Sequence, residues 1–210
     1  MGGRYIEKFF SLKCAPDVLS VVGHVQNAEK EITESMGVLR HVQRIVLRDV
    51  KQRFLLLDLC AGNALTSVLA VHLFPNVHAI ALDKLPRERN WDRAQRFQYV
   101  TRDLYGGVGA LLDDYPTIVL GVHACGDLAT QIIKYYRNYA AIRHMILLPC
   151  CSGTLAPMPA LIHEKFDRYE QWAYSLYLEA SKWEGAYNLM RDRHIQSPKN
   201  IILTGSKTGG

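Results

Sequence analysis

Residues 54–62 read Phe-Leu-Leu-Leu-Asp-Leu-Cys-Ala-Gly. Four apolar residues, an acid and then a turn of small residues form the pattern of a strand buried on both faces that delivers its C-terminal end into a tight loop. Asn63 and Ala64 continue that loop, and residues 65–74 have helical composition and stop at Pro75. The unit is strand, turn, helix. Its informative residue is Asp58, a carboxylate at the end of an otherwise apolar run.

Working outward, residues 77–82 form a second apolar run that ends at Asp83. Strands are also expected over residues 96–101, 117–122 and 144–148, alternating with helices, the pattern of a mostly parallel α/β sheet. A nicotinamide-binding turn would carry Gly-x-Gly-x-x-Gly after the first strand and keep its acid for the second. That fingerprint is absent here. Acids closing both strands suit a ligand with an ammonium group at one end and a ribose diol at the other. Asp83 has a competing reading as a helix N-cap, but Lys84-Leu85-Pro86 after it points to a loop first.

The Asp-Leu-Cys-Ala-Gly stretch resembles the first motif of class I S-adenosylmethionine-dependent methyltransferases, in the form found in several RNA methyltransferases. A second motif is His123-Ala124-Cys125-Gly126-Asp127-Leu128-Ala129. Read with residues 58–63 and with Pro149-Cys150-Cys151, it is similar to a methyltransferase-domain family that includes tRNA 2′-O-methyltransferases and less-defined RNA-related proteins. The resemblance spans about residues 30–205 and rests on ordered motifs. It implies S-adenosylmethionine as cofactor, held by Asp58, Cys60, Gly62, Asn63, Asp83, Lys84, Asp103, Leu104 and His123. Asp103 stands where such enzymes accept from the adenine amine, although a loop acid without a ligand role reads equally well. Cys60 and Ala64 replace two glycines of the commoner loop. Lys30 and Glu31 resemble a Lys-Glu element that precedes the domain in related chains.

A ribose hydroxyl is a poor nucleophile at neutral pH and gains from a neighbouring base, for which His123 is the candidate. Asp127 either orients that ring or starts the next helix. His123, Cys125, Cys150 and Cys151 offer soft metal ligands, but two are adjacent and no Cys-x-x-Cys occurs, so buried thiols and no metal site are expected. The tRNA enzymes of the resembled family carry N-terminal zinc-binding segments, whereas Cys14 is the sole cysteine before the domain here.

The 210 residues carry a formal charge of +5 and five cysteines. An odd cysteine count with an adjacent pair argues against a disulfide framework and for a reducing, intracellular compartment: cytoplasm, nucleus or organelle matrix. No apolar run is long enough to span a membrane, and residues 1–5 lack a signal-peptide apolar block. Arg40, Arg44 and Arg48 recur four apart beside an apolar stripe of Leu39, Val42, Val46 and Val50. Arg87, Arg89 and Arg93 belong to the densest basic run, with Arg89 and Arg93 expected on a helix. Both groups read either as solvated surface or as contacts to RNA phosphates.

The expected architecture is a Rossmann-like α/β domain over residues 53–210. It has a seven-stranded, mostly parallel sheet ending in an antiparallel hairpin, preceded by helices over residues 1–52. A long helix over residues 161–183 is expected to bury an aromatic stripe. The expected activity is S-adenosylmethionine-dependent methylation of tRNA or rRNA. Two readings stand beside it: a non-catalytic member of the fold that binds RNA or assembles a ribonucleoprotein particle, and a methyltransferase of protein or small molecules.

Overall fold

β1 (Phe54–Leu59) is buried along its whole length and pairs in parallel on both sides, with β2 (Val77–Asp83) and with β4 (Thr117–Val122). In a strand with no exposed face or edge a polar residue is costly, which accounts for the leucines at 55, 56, 57 and 59 and makes Asp58 conspicuous. The structure is a computed structural model and describes residues 3–154 and 164–208. Beyond β2 lies β3 (Phe97–Thr101), and beyond β4 lie β5 (Ile142–Leu148), β7 (Ile201–Ser206) and β6 (Ala186–Arg191). The seven strands run in the order β3-β2-β1-β4-β5-β7-β6. All pair in parallel except β7, which is antiparallel to β5 and β6. This is the expected Rossmann-like sheet with its closing hairpin.

Side-chain alternation divides the core in two. Phe54 and Leu56 of β1, with Ile118 and Leu120 of β4, pack under α1 (Gly3–Phe10), α2 (Ala15–Val22), α3 (Ala28–Val46) and α4 (Leu65–Leu73). Leu57, Leu59 and Val119 pack on the opposite face against α5 (Asp127–Asn138) and α6 (Arg168–Ala180). Gly121 of β4 is required there, because a Cβ would lie 2.6 Å from Ile132 and 2.8 Å from Leu147.

Several boundaries differ from the sequence expectation. α3 stops at Val46, so Val50 is exposed and Arg48 lies past the helix. The late helix begins at Arg168 because Asp167 forms a capping box with Glu170, and it ends at Ala180. Phe166 and Trp183 therefore flank it and are exposed, while Tyr169, Trp172, Ala173, Leu176 and Ala180 form the buried stripe. Residues 161–163 of that expected helix lie outside the described residues.

The basic run after β2 is a loop with a 3-10 turn at Trp91–Arg93, so no helix carries Arg89 and Arg93. Tertiary contacts outweigh the helical spacing. Trp91 stacks on Tyr99 at 5.0 Å and donates Nε1–H to the Arg87 carbonyl at 2.9 Å. Asn90 donates its side-chain amide to the Ser20 carbonyl at 2.8 Å.

Arg96, expected to open the third strand, instead sits in the left-handed region at φ 63°. Its guanidinium donates to the carbonyls of Phe74, Pro75 and Val77 at 2.7–2.9 Å and to that of Val71 at 2.5 Å. Those groups include the end of α4, where carbonyls lack helical partners and the helix dipole is negative. Arg96→Ala leaves several of them unpaired and is expected to cost about 2 kcal/mol. Thermal unfolding should show Tm lower by about 4–8 °C, with Arg96→Lys recovering part of the loss.

Candidate functional site

The alternation that sends Phe54 and Leu56 toward α1–α4 sends Asp58 the same way. The carboxylate is 1% exposed. Ser67 of α4 donates its hydroxyl to Oδ2 at 2.7 Å, while Oδ1 is buried with no partner among the described residues. Burial pushes the Asp58 carboxyl up to about 6; the Ser67 bond opposes that rise, the Asp83 charge adds to it and His123 opposes it.

The loop after β1 places Cys60, Gly62 and Ala64 at φ 62°, 56° and 58°. These positions take a glycine-like backbone although two of them carry side chains. Asp83 clasps the loop from the end of β2: Gly62 N–H donates to its Oδ2 at 2.9 Å and Leu85 N–H to its Oδ1 at 3.0 Å. Burial, then the charges of Asp83 and Asp58, push the Cys60 thiol up to about 12, with Cys125 and Asp103 contributing in the same sense.

The helical side of the site comes from α3. Glu34 is fully buried, and its Oε2 lies 2.5 Å from His123 Nε2 at the end of β4. Its Oε1 has no hydrogen-bond partner among the described residues, the Lys30 ammonium standing 3.9 Å away. Glu31 accepts from the Asn63 amide, and burial raises its carboxyl above the ordinary range. His123 is itself left-handed, at φ 66°.

Between these groups lies a cavity of about 330 Å³ at the carboxyl ends of β1 and β4, the place where open α/β sheets hold ligands. Asp58, Glu31 and Glu34 line it, with Cys60, Gly62, Asn63 and His123 from the loops. Arg87 and Arg89 bring positive charge to the same cavity.

Of the residues singled out in the sequence, Asp58, Cys60, Gly62, Asn63 and His123 meet at this cavity. Asp83 stands one hydrogen bond behind it, through Gly62. Lys84 is exposed and outside the lining. Asp103 is exposed and caps a 3-10 turn, accepting from Tyr105 N–H at 2.8 Å, while Leu104 is buried in the core with its carbonyl bonded to the Tyr135 hydroxyl. Asp127 is exposed in the first turn of α5, on a separate surface cleft with Ser152, Gly153 and Arg168. The ring of His123 is held by Glu34, so orienting it falls to the helix and not to Asp127.

The basic residues also separate. Arg87 and Arg89 reach the cavity, and Arg93 is exposed on the 3-10 turn. Arg40 stands 3.9 Å from Asp192. Arg44 and Arg48 are exposed near the end of α3, and Arg48 acts electrostatically on His144 in the first half of β5, toward the end of the parallel strands away from the cavity. Glu34 is the residue that sequence reasoning missed. Its signal is an acid one turn after Lys30, inside the stretch from Ile32 to Leu39 that α3 buries without a break.

A seven-stranded sheet in this order, with two acids at adjacent strand ends beside a glycine-like loop, defines a class I methyltransferase fold. Residues 28–158 match the model of a family described as a methyltransferase domain, and the chain belongs to that family. Comparison with curated proteins gives no significant match.

Among solved structures, magnesium protoporphyrin IX methyltransferase from Synechocystis PCC 6803, with bound SAH, is 13% identical. The match covers 99% of this chain and 100% of that one, with a TM-score of 0.55. A fibrillarin/NOP5P complex matches at 8% identity over 78% and 79% of the two chains, TM-score 0.54. The antibiotic-resistance methyltransferase Kmr matches at 12% over 89% and 95%, TM-score 0.52. At these identities the likeness is one of fold. The chain is by family and fold an S-adenosylmethionine-dependent methyltransferase, and no helix among its described residues is long and apolar enough to cross a membrane.

Asp58 yields a prediction about stability. Its folded value lies above its unfolded one, so the folded protein holds that proton more tightly, and the contribution to stability falls as pH rises from about 4 through about 6. Asp58→Asn removes a buried charge and leaves an oxygen to accept from Ser67. At pH 8 its Tm should exceed that of the parent by several degrees, and calorimetric scans between pH 4 and 6 should lose the corresponding slope.

Proposed function

We propose that the chain transfers the methyl group of S-adenosylmethionine to RNA, with a ribose hydroxyl of tRNA or rRNA as the acceptor. The observation that carries the cofactor assignment is a pair of buried carboxylate oxygens without a hydrogen bond among the described residues, Asp58 Oδ1 and Glu34 Oε1, the latter with only the Lys30 ammonium at 3.9 Å, on residues that line one cavity. A buried charged oxygen without a partner is costly, and an ammonium group relieves both. Arg87 and Arg89 complement a carboxylate at the other side of the same amino-acid moiety. Asp83 spends one lone-pair direction of each oxygen on a backbone amide and keeps the others for ribose hydroxyls. Cys60, Asn63, Lys84, Asp103 and Leu104 complete the proposed cofactor surface from the loops after β1, β2 and β3.

When bound, the cofactor supplies an electrophilic sulfonium methyl group. The chain's part is to hold the acceptor in line and to take its proton. We assign the ring proton to Nε2, where the Glu34 carboxylate stands 2.5 Å away to accept it, which leaves Nδ1 as the ring nitrogen with a lone pair. His123 is therefore the proposed proton acceptor and Glu34 the residue that fixes its tautomer. RNA as the acceptor is supported by the charge of +5, by the guanidinium groups of Arg87 and Arg89 at the cavity, and by the His-Ala-Cys-Gly-Asp motif. Arg93, Arg40, Arg44 and Arg48 extend positive surface beyond the cavity and are proposed to contact the phosphate backbone, in solution or inside a ribonucleoprotein particle.

Titration calorimetry with S-adenosylmethionine is expected to give one site per chain, and Asp83→Ala and Glu34→Gln should each weaken it about tenfold or more. Affinity should rise with pH through about 6 as Asp58 ionises. In a transfer assay with methyl-labelled cofactor and total RNA, label should appear in 2′-O-methylated nucleosides, and His123→Ala should abolish it while keeping cofactor affinity. Binding without transfer to any RNA would leave a scaffold that assembles RNA particles, and no binding at all would overturn the cofactor assignment.

A further inference from the structure

Three of the five cysteines converge at the neighbouring ends of β4 and β5. Cys125 follows β4 and Cys150 follows β5, and the register Val122↔Leu148 brings the two exits side by side. The pairing continues past the strands, with His123 N–H donating to the Leu148 carbonyl at 3.0 Å. Cys125 Sγ lies 2.7 Å from Cys150 Sγ, and Cys150 Sγ lies 3.5 Å from Cys151 Sγ, all three within 4.8 Å of one another. Adjacent residues in an extended chain point their side chains apart. Here the chain bends at Cys151, and that bend turns the two neighbouring thiols to one side.

We propose that Cys125, Cys150 and Cys151 form a three-thiolate site for a soft divalent metal ion, zinc in particular, with a fourth position open to solvent. Zinc–sulfur bonds of about 2.3 Å in tetrahedral or trigonal arrangement need sulfurs somewhat under 4 Å apart. Two of the sulfur pairs stand closer than that spacing, at 2.7 and 3.5 Å, and the third lies within 4.8 Å, so rotations about the Cα–Cβ bonds that spread the thiols meet it. His123, a nearby nitrogen ligand by sequence, does not fall within the 4.8 Å cluster that the three sulfurs form. Cys125 and Cys151 are exposed, which leaves the ion reachable from solvent.

Each thiol gives up a proton to solvent as its sulfur–metal bond forms, and the resulting site carries one net negative charge. Lys30 lies near enough to act on Cys125 and Cys151, and Lys199 on Cys151, so positive charge stands ready to balance it. The ion would strengthen the tie between the loop that carries His123 and the end of β5, where the Cys150 thiol also reaches the His123 carbonyl at 3.5 Å.

The test needs neither substrate nor cofactor, so its failure leaves the methyl-transfer reading untouched. Reduced, metal-free full-length protein is titrated anaerobically with cobalt(II) and then zinc(II). One equivalent of cobalt should produce a thiolate-to-metal charge-transfer band that one equivalent of zinc abolishes. Cys125→Ser should remove the band or cut it by at least a third, and so should Cys151→Ser, an exposed position, with circular dichroism run on each variant to check that the fold is kept. His123→Ala should keep it. A missing band at one equivalent, or a band indifferent to Cys125→Ser and Cys151→Ser, would overturn the proposal. So would mass spectrometry showing that purified protein holds a Cys125–Cys150 disulfide instead of metal.

Discussion

The structure turns on the burial of one carboxylate. Asp58 is set on the α1–α4 face of a strand that has neighbours on both edges and helices on both faces, so it is 1% exposed although it borders the cavity. Ser67 satisfies one of its oxygens and nothing described satisfies the other. Folding tolerates that cost because the same strand buries Phe54, Leu55, Leu56, Leu57 and Leu59. The apolar strand supplies the stability, and the acid at its end supplies the chemistry.

Helix α3 completes what the sheet begins. Its early turns carry Lys30, Glu31 and Glu34 over the loops after β1 and β4, and its later turns pack into the core with Leu39, Val42 and Val46. One rigid element therefore joins the hydrophobic interior to the ring of His123, and the ring is placed by packing as well as by its hydrogen bond. A site built on a packed helix and strand ends holds its geometry more tightly than one built on loops alone. The loop bearing Arg87 and Arg89 is fastened too, by the stack of Trp91 on Tyr99 and by the Tyr99 hydroxyl, which donates to the carbonyls of Leu85 and Gly62.

Much of the sheet could be read from residues 54–62 and the later apolar runs, because a strand buried on both faces leaves a plain signal. The acids at 58 and 83 could be placed at adjacent strand ends by the same logic. Glu34 was passed over: it precedes the apolar stripe that begins at Leu39, its one local signal is its place a turn after Lys30, and its partner His123 lies 89 residues away. The loop after β2 was misread because Arg89 and Arg93 have helical spacing, and spacing says nothing of Trp91 finding Tyr99. The cluster of Cys125, Cys150 and Cys151 escaped spacing rules because strand register, not sequence distance, brings it together.

Cys60, Ala64 and His123 share a backbone conformation that L-residues resist, and all three border or support the cavity. Their identities are consequently constrained twice, by chemistry and by the peptide chain itself. Over evolutionary drift, valine, isoleucine or threonine would be rejected at each of the three whatever space surrounded them, whereas glycine or asparagine would pass. Variation among homologues at these positions should thus run along a narrow path of small or left-handed-tolerant residues, even in lineages whose acceptor molecule has changed.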